Sequence, residues 1–156
     1  MSKKIAVFAD IDNVKTTFGA FETTLDKVSS FGEIVSCKLY GYRPTKHMEY
    51  ASLVNRLCFE AVSPIVVKGK RNKTDLRLVT DAVKYAATTQ NVDAVLIMAE
   101  GYIVPLVSAL RAMGKDVYVA VTSDIDNLTD LAEVYLLPLV AGPAPAPKRV
   151  VANPAE

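Results

Sequence analysis

The sequence predicts an α/β fold with a mostly parallel central sheet of about five strands flanked by helices. Three observations lead there. Short continuous apolar runs recur along the 156 residues. Each is followed by a polar or glycine-containing turn and then a longer stretch with helical spacing. The runs are rich in Val and Ile and lack strict alternation, as expected of parallel strands buried on both faces by helices.

The runs are Ile5–Ala9, Ile34–Tyr40, Val62–Val67, Ala94–Met98 and Val117–Val121. Between them, residues of about 46–60, 74–89 and 103–113 read as helices. In the second, Leu76, Val79, Val83 and Ala86–Ala87 recur on one face, while Arg77, Thr80, Asp81 and Lys84 point elsewhere. Gly114 closes the third at the position beyond a helix end that favours glycine. A shorter helix near 126–135 is expected after the last strand. From Pro143 the composition turns to Pro-Ala-Pro-Ala-Pro-Lys-Arg, which favours extended conformations and builds no core. The chain therefore reads as one domain over 1–140 and a flexible Pro/Ala-rich tail over 141–156.

Composition excludes several chemistries. Two cysteines, Cys37 and Cys58, make no C-x-x-C, and His47 is the only histidine, so a zinc site or a Ser-His-Asp triad has few possible ligands or bases. The apolar run Ile5–Ala9 is too short for a signal-peptide core or a membrane span, and the expected location is cytoplasmic, with no membrane partner. The balance of 18 basic against 17 acidic residues conceals an uneven distribution. Residues 1–90 carry 14 basic and 9 acidic side chains, and residues 91–142 carry 2 and 7.

In open α/β sheets ligands bind beyond the C-terminal ends of the strands. Strand one ends at Asp10-Ile11-Asp12-Asn13, and strand four at Ala99-Glu100-Gly101-Tyr102. Asp75 opens the helix after strand three, and strand five ends near Thr122-Ser123-Asp124. Carboxylates from several strand ends thus converge on one edge of the sheet. They repel one another unless a cation or hydrogen-bond donors offset the charge. Oxygen-only ligands point to Mg²⁺ or Mn²⁺, metals that commonly act on phosphates. The plainer alternative is that each acid caps a helix or makes an Asx turn.

Beside Asp75 lies the densest basic stretch, Lys68, Lys70, Arg71, Lys73 and Arg77, suited to phosphate contacts or simply a solvated loop. Tyr40, Tyr42 and Arg43, followed by Lys46 and His47, fall at the end of strand two, where an aromatic ring can stack on a base. Core packing is the expectation for Tyr40.

Three segments together resemble the NYN-domain family, a branch of the PIN-like nucleases, over residues of about 4–137. Ala6-Val7-Phe8-Ala9-Asp10-Ile11-Asp12-Asn13 is similar to that family's opening strand and its D-x-x-N. Lys73-Thr74-Asp75, with Asp81 six residues on, resembles its K-x-D segment and trailing aspartate. Val95 to Val107, followed by Gly114-Lys115-Asp116-Val117, resembles its S-G-D-x-D-F-x-P-L junction and the G-K-x-V beyond it. Leu131-Ala132-Glu133-Val134-Tyr135 echoes the closing A-D-x-F.

The resemblance implies a Rossmann-like, three-layer fold and divalent-metal-dependent cleavage of RNA. It also implies that Asp10, Asp75 and Glu100 are the catalytic metal ligands, with Asn13 orienting Asp10 or a bound water. Asp12, Asp81 and Asp124 are weaker candidates, and Asp81 has Lys84 as an alternative partner. RNA would be held by Lys68, Lys70, Arg71, Lys73, Arg77 and Arg43. The chain departs from the pattern at Tyr102, which stands where the family has its second aspartate, and a neutral phenol replaces a hard anionic ligand. The leading expectation is thus a metal-dependent ribonuclease. The alternative is an RNA-binding or regulatory module of the same family whose catalysis is weakened or lost. A homo-oligomeric scaffold or a small-molecule phosphatase is the third reading, and the oligomeric state, a homodimer included, is left open. A dinucleotide site is disfavoured, because the first turn has no G-x-G-x-x-G and presents Asp10 and Asp12 instead.

Overall fold

A computed structural model gives the chain as β1 (Lys3–Asp10), α1 (Phe18–Ser29), β2 (Gly32–Tyr40), α2 (Ala51–Val54), β3 (Phe59–Val62), α3 (Thr74–Thr88), β4 (Ala94–Met98), α4 (Ile103–Ala112), β5 (Asp116–Val121) and β6 (Glu133–Leu136). It describes residues 2–56, 58–63, 74–101, 103–123 and 128–138, with the side chains of Thr74 and Asp75 also outside the description. The tail from 139 onward, including the expected Pro/Ala-rich segment, lies outside the described residues.

Among the described residues the strands form one sheet in the order β3-β2-β1-β4-β5-β6, all neighbours parallel. The fold class is the three-layer α/β arrangement expected, with six strands rather than about five. Alternation along β1 divides the core. Ala6 and Phe8 pack with Leu78 and Ala82 of α3 and with Leu106 and Leu110 of α4. Ile5, Val7 and Ala9 pack on the other face with Phe21, Leu25 and Val28 of α1.

The helix α1 was not among those expected. Thr17 caps it by accepting from the Ala20 N–H at 3.0 Å, and Phe21, Thr24, Leu25 and Val28 form its buried stripe. Gly19 and the Thr23-Thr24 pair weaken its intrinsic propensity, so burial rather than propensity holds it.

Three expected elements differ. The third strand is Phe59–Val62 instead of Val62–Val67, and residues 64–67 lie outside the described set. As an edge strand it carries a polar position, Glu60, exposed and ion-paired to Lys38 on β2 at 3.8 Å, so it is not a continuous apolar run. The helix expected over 46–60 is a 3₁₀ turn at Met48–Tyr50 and the single turn α2. The last expected helix is a 3₁₀ turn at Leu128–Asp130 followed by β6.

At the N-terminal end of the sheet, Lys115 is buried without a carboxylate partner among the described residues. Its Nζ donates to the carbonyls of Thr89 at 3.2 Å and Val92 at 2.6 Å, fastening the turn that leaves α3.

Candidate functional site

Chain order reverses direction between β1 and β4: β2 and β3 are laid down on one side of β1, and β4, β5 and β6 on the other. The crevice beyond the C-terminal ends of these two strands is the topological switch point where α/β sheets bind ligands. Asp10 ends β1, and the register pairing Ala9 with Met98 brings Glu100, two residues beyond β4, to the neighbouring strand end. The first turn of α3, which contains Asp75, begins at the same end because the crossover from β3 to β4 must return along the sheet. Of the Asp75 side chain itself nothing is described.

Asp10 follows Ala6 and Phe8 on the α3 and α4 face and is fully buried. One carboxylate oxygen accepts from the backbone N–H groups of Asp12 at 3.1 Å and Asn13 at 3.0 Å. The other accepts from the Asn13 side-chain amide at 2.8 Å. This is an Asx turn, so the carboxylate makes the local turn and occupies the site at once. Burial raises its pKa above the usual carboxylate range, and the three hydrogen bonds oppose but do not cancel that shift. Among the described residues no ammonium or guanidinium is ion-paired with it.

Asp12 has a different environment. Lys46 donates to its Oδ1 at 3.0 Å, Arg43 approaches the same oxygen at 3.5 Å, and Lys15 donates to its backbone carbonyl at 2.9 Å. Burial pushes its pKa up, but the Lys46 hydrogen bond and the charges of Lys46, Arg43 and Lys15 outweigh this and leave it lowered. The pKa values of the two carboxylates, separated by one residue, are therefore shifted in opposite directions.

The cationic loop after β2 is held by the lone histidine. The Arg43 N–H donates to His47 Nδ1 at 2.9 Å, and the His47 ring stacks on Tyr42 and meets Tyr50 edge-on. Burial lowers the His47 pKa, in keeping with a neutral ring that accepts at Nδ1. Gly41 lets the loop leave β2 against Asp12. Its φ is +80°, and a Cβ there would stand 2.5 Å from that of Asp12.

On the β4 side, Thr122 Oγ1 at the end of β5 donates to Glu100. Gly101 follows with φ +85°, turning the chain into α4. Tyr102 and Asp124 lie outside the described residues, as do Lys68, Lys70, Arg71 and Lys73. Asp81 sits about two turns into α3 and faces β2. It accepts from the Tyr40 hydroxyl at 2.8 Å and from Arg77 Nε at 2.9 Å, with Lys38 Nζ at 4.0 Å. Its partner is thus Arg77, four residues earlier, and not Lys84, and Arg77 is engaged by an acid of its own helix. Tyr40 is fully buried as expected, with only its hydroxyl committed to Asp81.

The structure thus gathers Asp10, Asn13, Asp12, Arg43 and Glu100 at one end of the sheet and directs Asp81 to a separate network. Among the described residues no group of three or more His, Cys, Asp or Glu side chains is placed to hold a metal ion. Lys15, Lys46, His47 and Thr122 take structural parts in the site that spacing alone does not reveal. A lone histidine beside Lys46 after a strand end was the signal available for the loop.

A family model described as the NYN domain matches residues 4–136. A solved crystal structure of a protein of unknown function from Vibrio parahaemolyticus is similar in fold, with a TM-score of 0.66 and 21% identity over 86% of this chain and 92% of that one. No curated protein matches the chain. No helix among the described residues is long and apolar enough to cross a membrane.

Proposed function

The chain belongs to the NYN domain family of the PIN-like superfamily, and on that premise we propose that this nuclease-like domain is a divalent-metal-dependent ribonuclease. The observation that carries the reading is Asp10: a fully buried carboxylate at the switch point of the sheet, oriented by Asn13 and ion-paired with no described cation. Such a group is costly in isolation and is the environment in which carboxylates bind metals.

The donor set fits a hard ion. Asp10, Asp75 and Glu100 would hold Mg²⁺ or Mn²⁺ through oxygen alone. When bound, the ion supplies Lewis-acid stabilisation of the charge that develops on phosphate oxygens. The protein's own groups do the rest. Asn13 and the Asp12 N–H fix both oxygens of Asp10, and Thr122 restrains Glu100. Arg43 and Lys46, exposed by about half at their ends and anchored on Asp12, face the phosphates of a strand lying across the crevice.

Incubating the protein with single-stranded RNA and Mn²⁺, and separately with EDTA, tests the reading. Cleavage that requires Mn²⁺ and is lost in Asp10→Asn supports it. Salt-dependent RNA binding without metal-dependent cleavage would instead select an RNA-binding module, the reading that Tyr102 in place of an aspartate favours.

A further inference from the structure

Beside the carboxylate crevice, on the α1 side of the sheet, is a cavity of about 400 Å³ whose wall includes Asp12, Lys15, Phe18, Lys46, Glu49 and Tyr50. Two features point to its ligand. Lys15, Arg43 and Lys46 all converge on Asp12, at 2.9, 3.5 and 3.0 Å, and that residue carries only one negative charge. Glu49 is the other carboxylate of the wall. Lys46 and Arg43 lie on the Asp12 carboxylate and Lys15 on its backbone carbonyl, so three cationic heads stand against the two carboxylates of Asp12 and Glu49, a surplus of one positive charge that a phosphate would balance. The second feature is aromatic. Phe18 is half-buried at the start of α1, with its ring edge-on to the buried Tyr50 at 4.8 Å, so it lines the cavity while held by the core behind it.

We infer that this cavity is a nucleotide subsite: it takes the base of one unpaired RNA nucleotide against Phe18, with the adjoining phosphate on Lys15, Lys46 and Arg43. The inference rests on the ribonuclease reading and adds to it the place where one nucleotide of the substrate strand is held. A paired base has its edge and both faces engaged within a duplex and cannot enter, so the strand at this position must be single. The volume lies within the range of small-ligand pockets. Asp12 belongs to both sites, so a phosphate held here leads directly to the crevice at Asp10.

Binding, measured separately from cleavage, tests this. Fluorescence anisotropy of a labelled single-stranded RNA decamer and of its duplex, with the full chain in EDTA, reads the subsite without turnover. Loss of base stacking in Phe18→Ala is expected to weaken single-strand binding about fivefold or more, leave duplex binding unchanged, and be rescued by Phe18→Tyr. Lys15→Gln, at an exposed position, is expected to lower the salt dependence of single-strand binding by a slope of about 1. Single-strand binding that is unchanged in both Phe18→Ala and Lys15→Gln overturns the subsite, whatever the outcome of the Mn²⁺ cleavage assay. A free 5′-nucleotide that binds as tightly as the decamer overturns the assignment to an RNA strand. Loss of cleavage in Asp10→Asn with intact Phe18-dependent binding separates the two sites.

Discussion

Asn13 closes on Asp10 from three residues away, giving its backbone N–H to one carboxylate oxygen at 3.0 Å and its side-chain amide to the other at 2.8 Å. The orientation of the central acid is therefore set within four consecutive residues, and it survives changes elsewhere in the fold as long as β1 ends where it does.

Asp10→Asn should trade activity for stability. Burial raises the Asp10 pKa, so its contribution to stability is full below the usual carboxylate pKa and is lost as pH rises through the raised value. At pH 7 the ionised, buried group costs stability, and the neutral amide removes that cost once the Asn13 amide rotates to offer its oxygen. The melting temperature of metal-free Asp10→Asn is expected to exceed that of the wild type by a few degrees, about 1 kcal/mol. The gap should close as pH falls through the raised pKa. Metal-dependent cleavage should be lost in the same variant. Differential scanning fluorimetry across pH checks the first part.

Asn13→Ala removes a hydrogen bond to a charged oxygen, an interaction of about 1.5–3 kcal/mol. The Asp10 pKa should rise further, and the acidic limb of the pH–rate profile should move to higher pH. At fixed pH below that limb, kcat/KM is expected to fall by roughly tenfold or more. A profile that keeps its position would show that Asn13 is not an orienting residue.

Asp12 titrates in the opposite sense. Burial raises its pKa, yet Lys46, Arg43 and Lys15 bring it below the usual range. Its contribution to stability is thus present above the ordinary carboxylate pKa and is lost as pH falls through the lowered value. Asp12→Asn should destabilise the fold by about 1 kcal/mol at pH 7, a modest amount because Arg43 and Lys46 are half-exposed and regain water. Urea denaturation should show that difference vanish in strong acid.

Gly41→Ala meets two obstacles: a left-handed backbone with φ +80° and a Cβ contact of 2.5 Å with Asp12. The conformational term alone is about 1–2 kcal/mol. The contact is with a Cβ close to the backbone and cannot be relieved by rotation. A loss of at least 2 kcal/mol in urea denaturation is expected, about the upper end of that term, together with weaker RNA binding as Asp12 and its cations shift.

Lys115→Met keeps the length of the buried side chain and removes its charge, leaving the Thr89 and Val92 carbonyls without their donor. A destabilisation of about 1.5–3 kcal/mol is expected, with faster amide hydrogen exchange at the end of α3.

The sequence carried the parallel strands because β1, β4 and β5 are buried on both faces along most of their length, and β2, half-buried in its first part, still carries an apolar run into Leu39 and Tyr40. It carried Asp10 and Glu100 because strand ends follow from the strands. It failed at the two edge strands: β3, with the exposed Glu60, and β6, with Glu133 and Tyr135 hydrogen-bonded on one face, lack continuous apolar runs. The helix α1 escaped because its glycine and threonines dilute the stripe that Phe21, Leu25 and Val28 make. The partners of the acids were illegible for another reason. That Asp81 meets Tyr40 and Asp12 meets Lys46 depends on which strands are neighbours, and spacing along the chain does not contain that order.

The attachments of α3 make it a lever. Lys115 ties down the turn beyond its last residue, and Asp81 fixes its middle to Tyr40 on β2. From that fulcrum to Asp75 is six residues, about 9 Å of helix. The arm that reaches the crevice is set by fastenings that lie outside the proposed metal site. A small tilt introduced at Lys115, at the opposite end of the sheet, arrives at the crevice as a displacement, so variants that weaken the proposed cleavage should map to that end as well as to the carboxylates.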